Sequence, residues 1–186
     1  MMLTEKYKPD GTFEKVKARF NANPKTIRRK DTQGDNSSPT ATIEAINTII
    51  HMYATRRRQG AGLMSFDVMG AFAHVDYRNG GYIAVIDKTT AQTMIKIKPE
   101  LSKGMRRDGT LVVRIIKAIY GLEESAKLFY KHLTEKIKQL GYRRSKSDPC
   151  VLTKKTKSGT SASIALHVDD MLCYFKTEKD SKEFHR

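Results

Sequence analysis

SIALHVDDMLCYF, residues 163–175, sets two carboxylates, Asp169 and Asp170, at the joint of two apolar runs. Short runs rich in Ile, Val, Leu and aromatic residues read as strands, so the acids fall at the tip of a hydrophobic hairpin. Along a regular strand neighbouring side chains point to opposite faces, but at a turn the alternation breaks and adjacent carboxylates can lie near one site. Two close anions raise each other's pKa unless a cation intervenes. Mg²⁺ answers that need, since it takes oxygen ligands and is typically held by one or two carboxylates plus substrate phosphates. For the dipeptide alone an ordinary acidic β-turn is the better account.

A third acid changes the weighing. Asp67 ends the apolar stretch LMSFDV (63–68) and would join the pair if that strand lay beside the hairpin. As an alternative, Asp67 caps the Gly70-Ala71-Phe72 segment that follows.

Around these acids the chain reads as an α/β or α+β fold, with helices over a largely antiparallel sheet. Residues 3–20 form a hairpin about the Pro9-Asp10-Gly11 turn, and 21–41 a long polar surface loop. A helix follows Ser38-Pro39-Thr40, with Ile43, Ile46, Ile49, Ile50, Tyr53 and Ala54 on one face and Arg56-Arg57-Arg58 at its negative end. YIAVI (82–86) and LVVRII (111–116) are strands, and a second helix runs over 123–140, with Ala126, Phe129, Tyr130, Leu133, Ile137 and Leu140 as its stripe. CVLTK, from Cys150, is the strand before a Lys157-Ser158-Gly159 turn. At 186 residues the length suits a single folding unit.

Thirty-five Lys and Arg against 20 Asp and Glu give a formal charge of +15, spread along the whole length. That spread suits a polyanion such as nucleic acid, with a solvated basic surface as the plain alternative. No apolar run approaches a membrane span and no signal-peptide core opens the chain, so the location expected is intracellular, a cytoplasmic particle or the nucleus. Cys150 and Cys173 have no metal-ligand spacing, and zinc is not expected.

Five ordered blocks carry a family resemblance. KYKPDGTFEKVKARF resembles the fingers hairpin that opens the reverse transcriptase domain of copia-type LTR retrotransposons, and SSPTATIEAINTIIHMYA its Ser-Pro and helix segment. FDVMGAFAHVD is similar to the family's first catalytic block, KAIYGLEESAKLFYKHL to its Tyr-Gly-Leu block, and SDPCVLT with IALHVDDML to its last strands. The resemblance implies a right-hand polymerase, with residues 1–60 mainly fingers, 61–75 palm, 76–121 mainly fingers and 122–186 palm; thumb and RNase H lie outside this stretch.

It further implies that Asp67 and Asp169 are the principal ligands of two Mg²⁺ ions, Mn²⁺ being a possible substitute, with Asp170 in support. Partners are then an RNA or DNA template with its primer, and dNTPs; nothing bears on oligomeric state. Lys17 and Arg19 match basic fingers positions that hold the triphosphate, Phe72 the aromatic gate beside the sugar 2′ position, and Tyr120-Gly121 the segment near the templating base pair. Each has a plain alternative: a solvated hairpin face, a core aromatic and a turn glycine. His167 stands where most relatives carry tyrosine, close to the primer terminus, and Glu123-Glu124 departs from the family's usual Lys and Gln. A templated DNA polymerase and a catalytically idle nucleic-acid-binding relic both fit. The enzyme requires the three carboxylates to converge on one site.

Overall fold

The computed structural model describes residues 2–23, 37–77, 81–157 and 159–184; most of the loop expected over 21–41, and Ser158 of the 157–159 turn, lie outside them. The chain divides into two compact units, one built from Met1–Gly34 and Phe72–Ser125, the other from Asp35–Ala71 and Ala126–Arg186. The expected bounds were 60, 75 and 121, within one folding unit; these units change over after 34, 71 and 125. The helix after Pro39 groups with the later strands because it packs on them. Among the described residues no helix is long and apolar enough to cross a membrane.

In the first unit, β1 (Met2–Tyr7) and β2 (Phe13–Arg19) pair antiparallel. Asp10 accepts the Thr12 N–H and hydroxyl at 2.9 and 2.6 Å and so closes the turn between them. β4 (Ile83–Ile86) pairs with β5 (Leu111–Arg114), and their Ile86 and Leu111 enclose a small core with Ala91. Ala91 belongs to α2 (Lys88–Ile97), whose N-terminus is capped by Asp87 accepting the Thr90 N–H at 3.0 Å. Sequence reading had assigned no element there.

The second unit is a five-stranded antiparallel sheet in the order β3-β9-β8-β7-β6: β3 (Gly62–Asp67), β9 (Asp170–Phe175), β8 (Ser161–His167), β7 (Val151–Lys155) and β6 (Arg143–Arg144). Ile164, Leu166, Cys173, Tyr174 and Phe175 are buried in its core, each aliphatic or aromatic side chain there contributing ~1.5–3 kcal/mol of hydrophobic stabilisation. α1 (Ile43–Arg56) adds Ile46, Ile49, Met52 and Tyr53 to that core, whereas Ile43 and Ile50 are exposed. The buried stripe is thus narrower than the one expected, because Ile50 follows Ile49 by a 100° turn of the helix. α3 (Ser125–Gln139) buries Phe129 and Ile137 and leaves Leu140 exposed, and α4 (Glu178–Phe184) rests Phe184 against Phe66 and Phe175.

Candidate functional site

β3 and β9 run antiparallel in unbroken register from Gly62 opposite Phe175 to Asp67 opposite Asp170. Across β9's other edge, Asp170 is opposite His167. Directly opposed residues share a face with Cβ atoms ~5 Å apart, so His167, Asp170 and Asp67 form one row at the end of the sheet. Asp67, Asp170 and His167 are exposed and Asp169 is half-buried.

Only Val168 and Asp169 separate β8 from β9. Val168 has φ 57, the one positive φ outside glycine among the described residues. A β-branched residue meets steric conflict in that region, so the tip of the hairpin is strained. The Val68 N–H donates to the Asp169 carbonyl at 3.0 Å, tying the end of β3 to the turn. The ladder therefore brings Asp67, Asp169 and Asp170 to one end of the sheet.

Their carboxylates do not meet the convergence required of them: among the described residues no three His, Cys, Asp or Glu side chains are grouped to hold a metal ion. The donor set itself fits a hard divalent cation, three carboxylates at one strand end with no sulfur or imidazole required.

The first unit carries the other named residues. Lys17 and Arg19 share one face of β2, and their partners in register, Thr4 and Met2, extend it; Lys15 opposite Lys6 continues it toward the turn. Beyond Arg19, Asn21 forms a parallel bridge with Tyr120, and the Ala22 N–H donates to the Tyr120 carbonyl at 2.7 Å. Gly121, at φ 88, lies so close to this segment that a Cβ would stand 2.2 Å from the Ala22 oxygen. Only glycine fits there.

Phe72 is buried and meets the Tyr120 ring edge-on, centroids 4.5 Å apart. Lys17, Arg19, Phe72, Tyr120 and Gly121 thus all fall in the first unit, and the three acids in the second. Glu124, in the divergent block, accepts a hydrogen bond from the buried Tyr77 hydroxyl. Burial first, and then this carboxylate, push the Tyr77 pKa far up.

Asp148 had no role in the sequence reading. It is buried, and its carboxylate accepts the Thr42 N–H and hydroxyl at 3.0 and 3.1 Å and the Cys150 N–H at 2.7 Å. An acid before Pro149 is a weak signal, because the partner at Thr42 is 106 positions away.

The antiparallel sheet thus carries three acidic residues at one end. Comparison with known proteins narrows the origin of the chain. It is 26% identical over 137 residues to the retrovirus-related Pol polyprotein from transposon TNT 1-94 of Nicotiana tabacum. That match covers 73% of this chain and 9% of the polyprotein, so the chain spans under a tenth of its relative's length. No family model and no solved structure matches. The likeness supports a retrotransposon origin.

Proposed function

We propose that the chain is the fingers and palm of a copia-type reverse transcriptase, an RNA- and DNA-templated DNA polymerase. The acid-bearing sheet is the palm and the unit with the β1–β2 hairpin the fingers. The observation that carries this reading is the backbone register of Asp67 against Asp170, with Asp169 one residue away in the turn; the carboxylates themselves are not grouped to hold a metal ion, so the reading requires them to turn toward one another when a cation binds. That register is the adjacency that the sequence left open. The Pol polyprotein likeness supports the retrotransposon origin that this reading needs.

In this reading Asp67 and Asp169 hold two Mg²⁺ ions, or Mn²⁺ in their place, with Asp170 in support. Bound there, the ions would activate the primer 3′-hydroxyl and neutralise the triphosphate. The chain's own residues supply position and charge, which phosphoryl transfer needs more than covalent help. Lys17 and Arg19 bind the phosphates of the incoming dNTP. Phe72 limits room beside the sugar, Tyr120-Gly121 lies along the templating base pair, and His167 lies beside the primer terminus.

Primer extension on an RNA or DNA template, started with Mg²⁺, tests the assignment. Extension by the wild-type chain, lost in Asp169→Asn while template-primer binding survives, is the expected result. Binding that weakens steeply with salt, with no extension in Mg²⁺ or Mn²⁺, would leave a nucleic-acid-binding relic instead.

A further inference from the structure

Five residues of the acid-bearing unit close a ring of hydrogen bonds beside the aspartate turn. One oxygen of Asp148 accepts from the Thr42 N–H at 3.0 Å and its hydroxyl at 3.1 Å, and the other from the Cys150 N–H at 2.7 Å. The Cys150 carbonyl accepts the Leu166 N–H at 2.9 Å, and the Leu166 carbonyl accepts the Ala41 N–H, also at 2.9 Å. Ala41 adjoins Thr42, and the circuit is complete. Both backbone polar groups of Leu166 are thereby held by the two segments that Asp148 bridges.

Leu166 directly precedes His167 and stands two residues before Val168, the strained member of the turn. A strained φ persists only where the surrounding structure over-determines it. The ring supplies such constraint from outside the hairpin, on β8, while the Val68 N–H to the Asp169 carbonyl supplies it from β3. The Thr42 hydroxyl also accepts the Ala45 N–H at 3.2 Å, so the start of α1 is fixed to the same ring.

We propose that Asp148 is a positioning residue for the acid site: through the ring it holds Leu166, and with it the turn that presents Asp169. This rests on the reading of Asp67, Asp169 and Asp170 as cation ligands. Asp148 touches no reacting group and acts through the backbone. Burial pushes its carboxyl upward, but the Thr42 and Cys150 donors outweigh that and leave it below its ordinary value. It therefore serves the ring as an anion, with an acceptor for each segment. Asparagine would turn one acceptor into a donor facing the donors it must satisfy.

The test is Mn²⁺ titration of the full 186-residue chain, followed by electron paramagnetic resonance well below the melting temperature, together with amide hydrogen exchange. Wild type and Thr42→Ser, which keeps the hydroxyl, should bind Mn²⁺ alike. Asp148→Asn should bind it roughly tenfold more weakly, as when supporting partners of metal ligands are lost. Its Leu166 amide should exchange faster while the amides of α3 keep their protection. Should Asp148→Asn fail to fold, Thr42→Val, which removes only the hydroxyl, must weaken Mn²⁺ binding in the same direction. Mn²⁺ affinity within twofold of wild type in a folded variant would overturn the proposal and leave Asp148 a staple of the fold. If wild type binds no Mn²⁺ that Asp67→Asn removes, the acid site itself fails, and the role of Asp148 with it.

Discussion

Asp67 and Asp170 stand directly opposite one another across β3 and β9, two exposed carboxylates at the last paired position of the sheet. Like charges so placed destabilise a strand pair, and a shared cation reverses the sign. Asp170→Asn should therefore raise the melting temperature by about 1–2 °C in EDTA. Mg²⁺ should stabilise wild type more than the variant. Equal shifts with Mg²⁺ in the two proteins would separate these acids from any cation site.

Gly121 should tolerate no side chain. In Gly121→Ala a Cβ would be driven against the Ala22 carbonyl from a φ that alanine resists, a combination costing on the order of 2 kcal/mol or more. Urea denaturation of the variant should show an early transition. An unchanged midpoint would mean that Ala22 is not held where its 2.7 Å hydrogen bond to Tyr120 puts it.

Tyr174 buries its hydroxyl with no hydrogen-bond partner among the described residues. A buried polar atom left unpaired carries its desolvation penalty undiminished. Tyr174→Phe should stabilise the chain by about 1 kcal/mol, read from the urea midpoint at constant slope. A loss of stability would reveal a partner for the hydroxyl.

Burial pushes the Cys150 thiol up to about 11 and the Cys173 thiol up to about 12, from an ordinary 9.0. The unfolded chain gives up these protons first as pH rises, so both groups favour the folded state fully below pH 9 and lose that effect as pH climbs through 11 and 12. The urea midpoint should fall between pH 8 and pH 10.5, and fall less in the Cys150→Ala, Cys173→Ala double variant. Identical slopes would assign the alkaline loss elsewhere, for instance to Tyr142, which burial pushes up to about 12.

Elements whose burial leaves a periodic trace were legible in the sequence. The apolar runs about Asp169-Asp170 became β8 and β9, and the stripe at Phe129, Leu133 and Ile137 became α3. α2 was missed because it buries little more than Ala91, and its Ile97 is exposed, so no apolar stripe marks it. The signal available was Asp87 three residues before Thr90, a capping spacing. Within the candidate site, residue types were readable and relations between them were not. The register of Asp67 with Asp170, the ring through Asp148 and Thr42, and the fit of Gly121 under Ala22 all join distant positions, which local patterns do not encode. That the three carboxylates are not grouped is likewise something no local sequence pattern expresses.

β3 is synthesised about a hundred residues before β9, the strand it must pair with. Until the ribosome has released β9, Asp67 has no opposite number, and the edge of β3 is an open row of amide and carbonyl groups. Such long-range pairing is slow to form and prone to association while it waits. Expression yield should therefore depend on how the nascent chain is shielded during that interval, and the acid site comes into being only when it has passed.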